Sequence, residues 1–241
     1  MYHYKGVYRD PSILVSDAKL AMKKAKTTGK NHYEIFNEDM KKDPTLKETG
    51  FDLETAEAIA KAIDMKDKYT YQHSNNVAFY ARMLAKAAGL DPYDQQLIYE
   101  AGLIHDVGKI AIPDEILAKP GKLTDEEYDI IQSHVIKAEL ITKSSAHGYL
   151  LYPLVVCHHE RWDGKGYPYG KKGEEITLGG RCLAIADSFD AMTGKRVYKQ
   201  SLTLENAKEE LIRCKGTQFD PELVDVFTSL IDKGEIVLEN Q

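Results

Sequence analysis

Apolar residues recur at three- and four-residue intervals along most of this chain, the spacing of one face of a helix. Leu14, Ala18, Ala21, Met22 and Ala25 form the first stripe, and Gly29 closes it as a left-handed residue past the helix end. His32, Tyr33, Glu34, Ile35 and Phe36 predict a short strand. One helix and one strand cannot cover their own apolar face, so this arm needs the main domain or a second subunit. Residues 37–50 are polar, contain a Pro and end in Gly, and read as a linker. Helical stripes then dominate. Asp52 is placed to cap a helix carrying Ala56, Ile59, Ala60 and Ile63. A second helix, starting near Thr70, carries Val77, Ala78, Ala81, Leu84 and Ala85 before Gly89. Asp91-Pro92 is a cap followed by Pro at the first helical position, opening a helix through Ile98, Ala101 and Gly102 to His105. Thr124 and Glu127 fit a capping box, opening a helix through His134 to about Lys143. Residues 149–159 and 181–193 read as buried helices, and Thr203 and Asp220-Pro221 open the last two. No run of alternating strands follows residue 40. The expected class is all-α, with a short N-terminal helix-strand arm.

Composition changes this picture little. At 241 residues, 43% apolar and 29% charged, the chain is an ordinary globular sequence of one large domain plus a fragment. Its formal net charge of −6 opposes broad binding to nucleic acid or to a membrane surface. A phosphorylated small molecule would need a local cluster of cations or metals. Cys157, Cys182 and Cys214 are odd in number and far apart, so no disulfide framework is expected and a reducing cytoplasm fits. The longest apolar run, near Leu150 to Cys157, is too short to span a bilayer, and the N-terminus lacks the layout of a signal peptide.

The histidines change it a great deal. His73, His105, His134 and the adjacent pair His158 and His159 fall on four separate predicted helices, several inside apolar runs. His105 is followed by Asp106, and Asp187 interrupts the apolar run Leu183-Ala184-Ile185-Ala186. A carboxylate there is costly unless paired or bound to a metal. Imidazole and carboxylate without thiolate disfavour a Cys-rich structural zinc site. They suit iron or manganese, with zinc, nickel and cobalt also admissible. More than four candidate ligands imply more than one metal. Two metals about 3.5–4 Å apart are the common device for hydrolysing phosphate esters, since they generate a hydroxide at neutral pH and clamp phosphoryl oxygens. A carboxylate such as Asp106 has two oxygens and can bridge two ions, and Lys109 is close enough in sequence to hold a phosphate oxygen. The loop from His159 to Gly170 is rich in Gly and turns, and Trp162, Tyr167 and Tyr169 offer faces for a base or a sugar. Arg196 and Lys199 are cations placed to cancel phosphate charge.

Assembled in order, these stretches resemble the HD-GYP family, a branch of the HD phosphohydrolases, over roughly residues 52–230. The carrying motifs are Lys66 to Ser74, His105-Asp106-Val107-Gly108-Lys109-Ile110, His158-His159-Glu160-Arg161-Trp162-Asp163-Gly164 through Gly166-Tyr167-Pro168, Ile185 to Met192, and Gly216 to Pro221. The resemblance implies an HD-domain helical bundle and hydrolysis of cyclic di-GMP to linear pGpG, and in some members on to GMP. It places His73, His105, Asp106, His134, His158, His159 and Asp187 on metal-ligand positions, with Asp106 and Lys109 as catalytic residues. It places Lys109, Gly166, Tyr167, Pro168, Asp190, Arg196 and Lys199 toward the nucleotide. Tyr69 stands where members with a third metal carry Glu, so two divalent ions are expected, with His159 either a ligand or a phosphate contact. Val135 and Ala138 replace the usual Pro and Gly after His134, which points to altered packing near the ligand.

Residues Ser16 to Lys26 and Gly29 to Tyr33 resemble the C-terminal end of a GGDEF domain. The Gly-Gly-Asp/Glu-Glu-Phe string is absent, so cyclase activity is not implied. The expected organisation is an arm over residues 1–45 and a phosphohydrolase domain over 46–241. The arm is expected to serve a homodimer or docking to a GGDEF protein. Other cyclic dinucleotides or nucleotides as substrate, and a sensing module without catalysis, remain alternatives.

Overall fold

The computed structural model describes residues 17–18, 20–25, 28, 33–43, 53–66, 72–143, 148–194 and 201–238. The chain divides into two units, Met1–Gly50 and Phe51–Gln241. In the first, residues 17–18 and 20–25 are helical. Ala21 and Met40 are buried, with Leu20 and Phe36 packed on them. The expected strand is not found: Tyr33–Phe36, the described part of it, lies in no strand, and no described residue forms one. A strand exists through its ladder, and among the described residues this segment has no partner to pair with. The expected linker instead holds a 3-10 turn, Glu38–Lys42, capped by the Asn37 side chain.

The second unit is helical, and its elements are numbered here in chain order. They are α1 (Leu53–Lys66), α2 (His73–Ala87), α3 (Pro92–Ile104), a 3-10 turn (Val107–Ala111), α4 (Asp114–Leu117), α5 (Asp125–Gln132), α6 (His134–Thr142), α7 (Gly148–Val155), a 3-10 turn (Gly173–Glu175), α8 (Leu178–Thr193), α9 (Leu204–Arg213) and α10 (Pro221–Asp232). Most of the expected caps form. Asp91 accepts from the amides of Tyr93 and Asp94, Thr124 and Glu127 make the reciprocal capping box, and Thr203 and Asp220 cap α9 and α10. Asp52 and Thr70 lie outside the described residues.

Two helix boundaries differ from expectation, and both matter for the site. The segment after Thr124 is two helices, because the chain turns at Ser133 and α6 restarts at His134. Residues 149–159 are helical only to Val155, after which 156–159 form turns closed by i to i+3 bonds. Neither break contains Gly or Pro, so no local signal marks it.

α2 lies at the centre, packed against α3 and α8, while α6 packs on the Val107–Ala111 turn and on α7. The close approach of α3 to α2 needs Gly102, where a Cβ would sit 2.6 Å from the Ala78 Cα. Tyr80, Phe189 and Phe227 join α2, α8 and α10 by edge-to-face contacts at 5.0 to 6.5 Å. All three cysteines are free and buried. Among the described residues no helix is long and apolar enough to cross a membrane.

Candidate metal centre

Five histidines and one aspartate from four parts of the second unit meet in one place. His73 is the first residue of α2, and His105 and Asp106 follow the end of α3. His134 is the first residue of α6, so the break at Ser133 aims it. His158 and His159 lie on the turn after α7. On a helix two adjacent side chains diverge by about 100°. On this turn the two rings come together, with centroids 4.0 Å apart. Ligand atoms of Asp106, His134, His158 and His159 lie within 4.8 Å of one another, as do those of His73, His105 and Asp106.

Asp106 is common to both groups, and its two oxygens face opposite ways. Oδ1 lies 3.3 Å from His134 Nε2 and 4.0 Å from His158 Nε2. Oδ2 lies 3.3 Å from His105 Nε2, 4.0 Å from His73 Nε2 and 2.8 Å from Lys109 Nζ. Asp187 Oδ1 is 3.5 Å from His73 Nε2, adding a carboxylate on that side.

The tautomers follow from the outer partners. Nδ1 of His105 donates to the Gly102 carbonyl at 2.7 Å, Nδ1 of His134 to that of Ile131 at 2.7 Å, and Nδ1 of His158 to that of Val155. A carbonyl only accepts, so each Nδ1 carries a proton and each Nε2 faces inward. Nε2 of His105 is buried with no hydrogen-bond partner. The Nε2 atoms of His134 and His158 stand 3.5 Å apart. With both rings neutral, two inward lone pairs at that distance repel unless a cation lies between them. This donor set, nitrogen and carboxylate oxygen with outer hydrogen bonds fixing the rings, fits divalent metal ions.

For His158 and His159 the electrostatics agree. Burial holds His158 well below the ordinary imidazole range, reinforced by His159. Burial likewise lowers His159 to about 3, with His134 adding to the effect. Both are therefore neutral, the form that binds metal. Burial opposes charge on His105 too, but the Asp106 carboxylate beside it outweighs this and pushes His105 up to about 9. Burial works against the Asp106 charge, yet Lys109 and His105 hold that carboxyl well below its usual range.

Residues 57–223 match the family model described as HD domain. The chain belongs to the HD domain family. Two of its relatives are the 3'3'-cGAMP-specific phosphodiesterase 2 of Vibrio cholerae and the cyclic di-GMP phosphodiesterase of Thermotoga maritima. The first is 41% identical over 183 residues, covering 75% of this chain and 35% of that protein. The second is 38% identical over 182 residues, covering 75% and 50%. This chain thus spans half or less of the length of these relatives. Among solved structures, the cyclic GMP-AMP specific phosphodiesterase V-cGAP3 of V. cholerae superposes with a TM-score of 0.56 at 19% identity, covering 76% of this chain and 49% of that one. The PgpH HD domain of L. monocytogenes, in complex with cyclic-di-AMP, gives 0.52 at 21%, covering 76% and 99%. Both establish the helical HD fold.

Within this HD domain the loop after His159 folds back onto the histidine cluster. Glu160, 3% exposed, accepts the Tyr169 amide at 2.8 Å and the Lys171 amide at 3.0 Å. The loop between is held so that the Tyr167 ring stacks on His159 at 4.8 Å. Burial pushes the Tyr167 hydroxyl up, with Tyr128 adding to the effect, so it stays protonated. Gly166 and Pro168 flank it, and the Tyr167-Pro168 peptide is cis. The other two aromatics of the loop have different partners. Arg181 lies over the Trp162 ring and pairs with Asp220, while the Tyr169 hydroxyl bonds Glu139.

Asp190 has a different place from the expected one. It is buried, with Oδ2 accepting from His73 Nδ1 at 2.7 Å and Oδ1 from Asn76 Nδ2 at 2.8 Å. A carboxylate engaged on both oxygens behind a histidine ring is not presented to a nucleotide. Arg196 and Lys199 lie outside the described residues. Val135 and Ala138 are both fully buried, and Ala138 packs against the Gly108 backbone. Sequence reasoning missed Glu160 and Asn76 as site-building residues. The only available signal was a carboxylate directly before a Gly-rich loop.

Proposed function

We propose that this chain is a metal-dependent phosphodiesterase of the HD-GYP branch that opens cyclic di-GMP to pGpG, with further cleavage to GMP as a second step. The observation that carries the reading is Asp106, which turns one oxygen to each of two histidine groups. His73, His105, Asp106 and Asp187 would hold one ion, and Asp106, His134, His158 and His159 the other. Two divalent ions, iron or manganese by donor type, would supply a nucleophilic water at neutral pH and neutralise phosphoryl charge.

The chain's own residues do the rest. Lys109, 2.8 Å from Asp106, is a preorganised cation where negative charge grows on a phosphoryl oxygen. Protonated Tyr167, braced on His159 and flanked by Gly166 and Pro168, offers a hydroxyl donor and a ring edge to the substrate. By the family resemblance, Arg196 and Lys199 would add positive charge toward the substrate. The relatives named cyclic di-GMP phosphodiesterases support this substrate. A second reading, a 3'3'-cGAMP phosphodiesterase, is favoured by the relative at 41% identity that bears that name. The complete ligand set counts against a sensing module without catalysis. We assign residues 1–45 to an arm derived from a GGDEF tail, serving dimerisation or docking to a GGDEF protein, and 46–241 to the hydrolase domain of a cytoplasmic enzyme.

The test compares the wild type with the His105→Ala, Asp106→Ala double variant on cyclic di-GMP and on 3'3'-cGAMP, with products separated by chromatography. The double variant is expected to be inactive on both. Full activity in it would remove the assignment, and wild-type turnover of 3'3'-cGAMP alone would replace the substrate.

A further inference from the structure

Three of the buried imidazoles are backed by main-chain carbonyls, but His73 is backed by a carboxylate. Its Nδ1 lies 2.7 Å from Asp190 Oδ2, and the other Asp190 oxygen accepts from Asn76 Nδ2 at 2.8 Å. The arrangement comes from two helices with matched spacing. His73 and Asn76 are three residues apart on α2, and Asp187 and Asp190 are three apart on α8. Residues at that spacing share a helix face. One turn of α8 therefore brackets the imidazole, with Asp187 3.5 Å from Nε2 and Asp190 at Nδ1.

We infer that Asp190, held by Asn76, is a positioning residue that fixes His73 as the Nδ1–H tautomer and strengthens its Nε2 as a metal donor. The consequence is selective. The subsite of His73, His105 and Asp106 depends on Asp190, while the subsite of Asp106, His134, His158 and His159 does not. This rests on reading the cluster as a metal centre. A carboxylate behind a ligating imidazole makes the ring more basic than a carbonyl does, and loss of such a partner costs about 10–100-fold in metal affinity.

The network also defines its own rescue. In Asp190→Asn the new amide nitrogen must face one of two donors, His73 Nδ1–H or the Asn76 amide. Adding Asn76→Asp supplies an acceptor on the Asn76 side, so the residue 190 oxygen returns to His73.

The experiment titrates Mn²⁺ into the metal-stripped full chain, alongside ¹⁵N spectra of His73 without metal. The wild type is expected to take up two ions per chain, with His73 as one Nδ1–H tautomer. Asp190→Asn is expected to weaken one ion by roughly tenfold or more, leave the other unchanged, and mix the His73 tautomers. The double variant is expected to recover most of both signals. Unchanged affinities and tautomer in Asp190→Asn, with two ions in the wild type, would overturn this inference alone. Equal weakening of both ions without rescue would also overturn it, as the mark of general damage. A wild type that takes up no Mn²⁺ would overturn the metal-centre reading and this inference with it.

Discussion

Replacing Gly108 with alanine would drive a methyl group into backbone. A Cβ at 108 would lie 1.8 Å from the His134 carbonyl oxygen, 2.6 Å from the Ala138 amide nitrogen and 2.7 Å from the His134 carbonyl carbon. Reaching even 3.0 Å requires the Val107–Ala111 turn and α6 to part by about 1.2 Å. Neither side yields readily. The end of the turn is held by Lys66 on the Ile110 carbonyl at 2.9 Å and by Lys137 on the Ala111 carbonyl at 3.1 Å. Overpacking of this kind costs about 1–3 kcal/mol even where flexible side chains absorb it, and here the obstacles are main-chain atoms. The functional effect is larger than the stability effect. Parting the two elements pulls Asp106 and Lys109 away from His134, and a displacement of about 1 Å costs roughly 100-fold in rate. Gly108→Ala is therefore expected to lower the thermal midpoint by several degrees, weaken metal binding, and reduce turnover by about 100-fold or more. Thermal unfolding, a metal titration and a turnover assay on one preparation would check it. Wild-type values in all three would refute the packing of the turn against α6.

Three further outcomes are expected. Glu160→Ala removes the buried acceptor for the Tyr169 and Lys171 amides, and each such hydrogen bond is worth about 0.5–1.5 kcal/mol. It should loosen Tyr167 and raise KM more than it lowers metal content, and an unchanged KM would count against the clamp. Metal uptake should be pH-dependent, because His105 is pushed up to about 9 and must lose its proton to bind. Affinity for Mn²⁺ should rise by about tenfold per unit between roughly pH 6.5 and 8.5, and a flat profile by calorimetry would contradict this. In the metal-free protein, stability should fall on both sides of neutrality. His105 is raised above its unfolded value of 6.5, so its contribution is present below that value and lost as pH rises through about 9. His159 is lowered to about 3, so its contribution is present above 6.5 and lost as pH falls toward 3. Denaturant midpoints from pH 4 to 10 would test both slopes.

The helices of the second unit were legible where their signals are local. The caps at Asp91, Thr124, Thr203 and Asp220 act within three residues, so their residue types disclose them. The residues of the buried cluster were legible by type, because imidazoles inside apolar runs are hard to satisfy otherwise. Their roles, and the bridging place of Asp106, came from the family resemblance. Illegible features were those decided at long range. His73 and Asp190 are 117 residues apart, and nothing near Asp190 says that its carboxylate serves a ring rather than a ligand. The breaks at Ser133 and after Val155 carry no Gly or Pro. They exist because His134, His158 and His159 must converge, which is a tertiary demand. The strand expected at His32–Phe36 is not found over its described part, Tyr33–Phe36, for the opposite reason: its pattern was local, and no pairing partner lies among the described residues.

The most direct test of the central claim is metal analysis of anaerobically purified protein, followed at once by cyclic di-GMP turnover on the same sample. The account predicts about two iron or manganese ions per chain and linear pGpG as first product. Protein with neither bound metal nor turnover, even after both metals are added back, would contradict it.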